Sequence, residues 1–386
     1  MEQLGQKQEE NEIGKGKERK TPLDLLDVRE FLLMKETNYG PHIIGGSLDA
    51  LVVHASKSNE KDIQFQEAFL NTYRSFVNPP ELVSKLLYRY HRFTKCTSDL
   101  DKQKASRNVF ALLVRVVDDL TVSDLTKELL QTLMDFVYEL ICSGDLLPAR
   151  ALRNKIVEKT EIMKKYLAPR RFLTTLGVST TQATLLDFKA FEIAEQITLL
   201  DAELFSIIQI PEAIIWSWKQ SEEKSPYVTA FINHFNKMSI WARSQILKLE
   251  DAHEREKYVM KFIKILKHLR QMNNFSSYLV ILSALETAAV RRLEWPQHIM
   301  DSLKEYGELF DPSVNFKTYR QTLAESTPPC IPHIGLILQD LTFIHIGNPN
   351  LNTDKSINFQ KRWQFFNILE DMKKYIKCVL LQYIEF

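Results

Sequence analysis

The sequence predicts an all-α protein of two helical domains, the second bearing a protruding helical hairpin. Three observations predict it. The 386 residues include only 11 Gly and 14 Pro, against roughly 7% and 5% in average usage, and so few chain breakers favour long helices over many-turned sheets. Length alone suggests two or three domains, and 45% hydrophobic content lets each bury its own core. Apolar residues also recur at three- and four-residue spacing along most of the chain.

The elements follow in order. Residues 1–22 are rich in Lys, Glu, Gln and Gly and read as a disordered tail that cannot bury enough surface to offset ordering. Gly45-Gly46 marks a turn, after which Leu51, Val52 and Val53 form a short β-type run. Helical periodicity then takes over with Phe65, Phe69, Tyr73 and Phe76. Pro79-Pro80 opens the next helix, NVFALLVRVVDDL supplies another, and LTKELLQTLMDFVYELICSG is stopped by Gly144. Residues 45–165 thus form an N-terminal helical domain. The basic run at 154–170 (Lys155, Lys159, Lys164, Lys165, Arg170, Arg171) reads as a solvated face. The small, polar, aperiodic stretch after it makes 166–185 a linker. In the second domain, 186–386, Ile193, Ile197, Leu200 and Leu204 share one helix face. In 256–270, Val259, Phe262, Ile263, Leu266 and Leu269 lie opposite Lys257, Lys261, Lys264 and Lys267, which again read as solvated.

Charge and motifs exclude several function classes. Fifty Lys+Arg against 49 Asp+Glu leave a net charge of +1, so no global field draws the chain to nucleic acid or membrane. Cys96, Cys142, Cys330 and Cys378 form no C-x-x-C pair, which points to a reducing, cytoplasmic setting without disulfides or structural zinc. The polar N-terminus is no signal peptide, and no stretch reaches the length of a membrane span. Phosphate-loop, dinucleotide, zincin and nucleophile-elbow motifs are all missing, and the nine histidines show no metal-ligand spacing. No cofactor and no metal are expected.

The informative segment is 326–363. Pro328, Pro329 and Pro332 fix an extended entry. Residues 333–346 then read as a helix whose polar positions are Gln339, Asp340, Thr342 and His345. Such a helix must be buried or must meet a partner. Gly347-Asn348-Pro349-Asn350 ends it with turn chemistry, and a second helix begins in INFQKRWQFFNILEDM. Pattern alone describes a core αα-hairpin.

Four blocks carry a resemblance: HFNKMSIWARSQI (234–246), LRQMNNFSSYLVILSALETAAVRRLEW (269–295), PPCIPHIGLILQDLTFIHIGNPN (328–350) and INFQKRWQFFNIL (357–369). In this order they resemble the catalytic domain of Ras-family guanine-nucleotide exchange factors. Residues 45–90 resemble the exchanger-motif module that accompanies it, and LILQDLTFIHIGNP and RRLEW are similar to the Rap-directed members. The resemblance implies a Rap/Ras-type small GTPase as partner and an exchange factor without covalent chemistry. On the same resemblance it would act in the cytoplasm, at the membranes where the lipidated GTPase resides, and any membrane recruitment would be indirect. The hairpin would be a wedge opening the nucleotide site, with Gln339, Thr342, Phe343, Ile346 and Asn348 at the matching positions. Asn236, Leu279 and Glu286, with Asn315 and Phe316, would face the GTPase, while Asn274 and Arg292 would position the scaffold. Three departures stand out. Ile346 replaces a glutamate that many members carry, Glu286 replaces an asparagine, and the family domain runs further before closing with a packed helix, so 186–386 reads as C-terminally truncated. These departures favour an alternative, a GTPase-binding scaffold or exchange-impaired fragment.

Overall fold

The computed structural model describes residues 20–37, 40–57, 63–96, 98–167 and 183–383. The tail expected over 1–22 lies, but for its last three residues, outside them, as does most of the 166–185 linker. Six helices build the first domain: α1 (Leu48–Ala55), α2 (Ile63–Thr72), α3 (Pro79–Thr94), α4 (Leu100–Asp118), α5 (Lys127–Cys142) and α6 (Leu146–Leu167). Side chains of Ser47, Asn78, Asp99 and Thr126 accept the free N–H groups at the starts of α1, α3, α4 and α5, the expected chemistry of a helix N-terminus. Gly144 closes α5 at φ 83°, where a glycine meets no steric penalty.

Among the described residues, ten helices form the second domain. They are α7 (Ala190–Ser206), α8 (Ile210–Lys219), α9 (Pro226–Leu247), α10 (Ala252–Gln271), α11 (Phe275–Leu285), α12 (Ala288–Arg291), α13 (Gln297–Gly307), α14 (Lys317–Glu325), α15 (Ile334–Gly347) and α16 (Phe359–Tyr383). Its apolar interior has two parts: one centred on α10, α11 and α13, the other on α7, α8, α15 and α16. Helix α15 joins them, with Leu336 in the first and Ile334, Leu338 and Leu341 in the second.

Two readings of the first domain need correction. Leu51, Val52 and Val53 are not a strand; they lie in α1, wholly buried. A short apolar run has no period of its own to tell helix from strand, and the Ser47 cap decides for helix. The strands lie upstream, β1 (Leu32–Thr37) and β2 (Gly40–Gly46), in an antiparallel pair. Gly45 and Gly46 are therefore strand residues and not a turn. A Cβ at Gly45 would sit 2.9 Å from the Ile357 carbonyl oxygen, and one at Gly46 2.8 Å from a Leu32 methyl. Both need glycine for close approach. The third strand, β3 (Ile357–Asn358), comes from the second domain and pairs antiparallel with β2.

Candidate functional site

The hairpin is built from α15, the turn after it, β3 and α16. Its lead-in is locked before the helix begins. Ile331 donates its N–H to the Asn273 carbonyl and accepts from Phe275 N–H, both at 3.0 Å, and His333 N–H donates to the Tyr319 hydroxyl at 2.9 Å. Along α15 the large apolar side chains point inward, leaving Gln339, Phe343 and Ile346 at i, i+4 and i+7 on one exposed face. Phe343 is 58% exposed and Ile346 75%. Thr342 is turned the other way: its hydroxyl donates to the Leu338 carbonyl at 2.8 Å and to Ser217 of α8 at 3.4 Å. Asn348 donates to the Ile344 carbonyl and to Gln364 Oε1, tying the turn to both helices.

A pair of buried cations fixes the tip. Lys361 Nζ donates to the carbonyls of His345 (2.8 Å) and Asn348 (2.7 Å) and to Asn350 Oδ1 (2.9 Å). It thereby neutralises carbonyls that a helix C-terminus leaves free. Burial, reinforced by Arg362 beside it, pulls this ammonium down to about 8. Arg362 donates to the Asn350 and Asn358 carbonyls and crosses to the first domain, bonding Ser75 Oγ at 2.9 Å and the Ser75 carbonyl at 3.3 Å. From α8, the Trp218 ring lies 5.4 Å from that of His345. The tip is thus held from three sides.

Beneath the lead-in, Asn274 caps α11 through Ser277 N–H (3.0 Å) and donates to Asp201 Oδ2 (2.8 Å) and Thr198 Oγ1 (3.1 Å) on α7. Asp201 also accepts from Ser277 and pairs with His234 Nε2 at 2.7 Å. One buried carboxylate therefore joins α7, α9 and α11. This changes the expected face of α7: Leu200 is exposed, and the buried stripe runs Ala194, Ile197, Thr198, Asp201, Ala202, Phe205. Next to His234, the Phe235 ring lies tilted against that of His333, 5.4 Å between centroids, and Asn236, the next residue, is exposed. On the hairpin's flank, Arg320 of α14 donates to Asp340 of α15 at 2.7 and 2.9 Å and to the Asn315 carbonyl at 2.9 Å. Among the described residues no three His, Cys, Asp or Glu side chains gather as a metal site, and no helix is long and apolar enough to cross a membrane.

Residues 192–363 match the RasGEF domain, and residues 42–142 match the RasGEF N-terminal motif. The chain belongs to the RasGEF family. It is 50% identical to Rap guanine nucleotide exchange factor 1 of Homo sapiens over 359 residues, covering 91% of this chain and 33% of that protein. It is 49% identical to Guanine nucleotide-releasing factor 2 of Drosophila melanogaster over 380 residues, covering 92% of this chain and 24% of that protein. Against Ras guanine nucleotide exchange factor A of Dictyostelium discoideum the identity is 31%, over 84% of this chain and 56% of that one. The chain spans about a quarter to a third of the length of the first two relatives.

Within this RasGEF domain the expected residues fall into groups. Gln339, Phe343 and Ile346 share the free face of α15, and Arg320 joins Asn315 to that helix. Leu279 is half-buried on α11, packed against the larger core, and Glu286 is exposed at the end of the same helix. Phe316 is half-buried against that core too. Arg292 is exposed beyond α12, and its side chain hydrogen-bonds to none of the described residues. Sequence reasoning missed Asp201, Arg320, Asp340, Lys361 and Arg362. A Lys-Arg pair inside the otherwise aromatic INFQKRWQFF was the available signal, since adjacent cations among apolar residues need buried acceptors.

Proposed function

We propose that this chain is a guanine-nucleotide exchange factor for a Rap/Ras-type small GTPase. It inserts the α15–α16 hairpin to open the nucleotide site, so that GDP leaves and GTP enters. In this reading residues 186–386 are the exchange domain and 45–165 its supporting module. The observation that carries it is the exposed face of α15, two large apolar side chains held on a helix whose opposite face is core and whose tip is clamped. A wedge works only if its insertion deforms the partner and not itself, and close-packed interiors resist deformation. No bond is made or broken. An acceleration of about ten-thousandfold requires about 5.5 kcal/mol of differential stabilisation of the open GTPase. Linkage obliges the nucleotide to weaken the complex by the same factor as the complex weakens nucleotide affinity, and the direction of exchange comes from the ratio of GTP to GDP. The GTPase is lipidated in this reading, and the chain acts at the membrane through it.

Ile346 and Glu286 favour a second reading, a GTPase-binding scaffold with little exchange. Ile346 offers no carboxylate to compete with phosphate, and occlusion alone must suffice. The two readings separate in one assay, release of a fluorescent GDP analogue from Rap in excess GTP. The exchange reading expects release accelerated in proportion to added chain. Binding to nucleotide-free Rap with release at the spontaneous rate would leave only the scaffold.

A further inference from the structure

We propose that the outer face of α10, with Phe188 and Phe191 beside it, docks directly on an anionic lipid bilayer. None of these residues is assigned to the GTPase, so the surface is separate from the hairpin. Lys257, Lys261, Lys264 and Lys267 recur at i, i+4, i+7 and i+10, along about 15 Å of one side of the helix. The opposite side, Val259, Phe262, Ile263, Leu266 and Leu269, is core. From Lys257 to Leu285 the chain holds no Asp or Glu. The net charge of +1 gives no global attraction, but a local field needs none, because exposed charges beyond about 10 Å are screened at about 0.1 M salt.

A groove of about 450 Å³ lies between this face and the turn at Leu185–Asp187. Leu186 and Met260 line it together with Lys257, Lys261 and Lys264. The carboxylates bordering it are already engaged. Glu254 holds Lys257 at 2.8 Å, Glu256 lies between His253 (3.9 Å) and His298 (3.6 Å), and Asp187 accepts the Thr184 N–H at 2.6 Å. Lys264 and Lys267 are exposed and make no ion pair among the described residues. Lys261 donates to the Phe188 carbonyl, which fixes that residue beside the groove, and Phe188 is 50% exposed. Phe191, 48% exposed, stands edge-on to the His268 ring, 5.6 Å between centroids. Two half-exposed rings thus border the lysines, one at Lys261 and one at His268. An acidic peptide would neutralise the lysines and leave the rings in water. A bilayer takes both, the ammonium groups at its phosphates and the rings at the acyl boundary beneath.

The test is sedimentation of the chain with phosphatidylcholine vesicles, either neutral or carrying about 30% phosphatidylserine. The chain binds the anionic vesicles, ignores the neutral ones, and detaches as salt rises to about 0.5 M. Lys264→Gln and Lys267→Gln each weaken binding about fivefold, and together about 25-fold. Neither moves the melting temperature, since both side chains are exposed. Phe191→Ser weakens binding about fivefold as well, with the salt dependence unchanged. Wild-type affinity in the lysine double variant or in Phe191→Ser would overturn the proposal, and so would equal binding to both kinds of vesicle. Binding to polyglutamate with none to vesicles would assign the face to an acidic protein and overturn it too. None of these outcomes depends on GDP release from Rap, so failure of the exchange reading leaves the proposal standing.

Discussion

Phe343 and Ile346 are large apolar side chains that the fold leaves in solvent, although the opposite face of the helix carrying them is core. Their truncation therefore separates function from folding. Phe343→Ala and Ile346→Ala should each change stability by less than about 0.5 kcal/mol, as exposed substitutions do. Each should slow GDP release about tenfold or more, because a side chain buried on binding contributes about 1.5–3 kcal/mol. If release falls only in step with the melting temperature, the hairpin is core and not a wedge. Thr342 serves this purpose badly, since its hydroxyl is tied to Ser217 and a larger residue there would disturb α8. The sequence places Thr342 and Phe343 side by side with nothing to separate them; what packs against each decides. Lys361 and Arg362 show the same limit more sharply. Charges on a helix read as solvated, and only the folded turn brings the carbonyls of His345, Asn348 and Asn350 to meet them.

At the scale of elements, helix order was legible and register was not. Pro79, Gly144 and the prolines before α15 mark boundaries through chemistry local to a few residues. The strand was misplaced because Leu51, Val52 and Val53 are buried all round and show neither period, whereas the real strand β2 is short of β-formers and rich in glycine. Helix α8, against which α15 rests, carries a second polar surprise. Glu212 is buried and accepts the N–H groups of Tyr227 (2.8 Å) and Val228 (3.0 Å) at the start of α9. Burial pushes its carboxyl up to about 7, partly countered by those two bonds. Its folded value thus exceeds the ordinary one, and between about 4.5 and 7 the folded chain binds more protons than the unfolded. The stability from this group is complete below about 4.5 and is lost as pH rises through about 7. Glu212→Gln keeps an acceptor and discards the titration. It should melt above wild type at about pH 8 and show a flatter dependence between about pH 5 and pH 8. A wild-type pH profile in the variant would refute this.

Across the whole molecule, the hairpin belongs to both domains at once, which local sequence cannot reveal because the contacts join residues 287 to 320 positions apart. Arg362 reaches Ser75, Trp363 Nε1 donates to the Ile43 carbonyl at 2.9 Å, and β3 extends the β1–β2 sheet. Most telling is Phe359, the first residue of α16, whose ring stacks on Phe65 at 4.5 Å inside the core of the first domain. The hairpin is therefore anchored by packing in a domain that contributes nothing to its exposed face. The tryptophans make this testable, for all five (Trp216, Trp218, Trp241, Trp295 and Trp363) lie in the second domain. Phe65→Ala removes a buried ring from the first domain at a cost of about 3–5 kcal/mol. If the domains share one cooperative unit, the tryptophan-detected midpoint falls as far as the far-ultraviolet circular dichroism midpoint, and the two transitions coincide. GDP release at saturating GTPase falls as well, because the loosened α16 lets the tip yield. Were the tryptophan transition to stay at its wild-type midpoint while ellipticity fell in two steps, the second domain would hold its hairpin alone. The cross-domain contacts of Phe359 and Arg362 would then be incidental to the wedge.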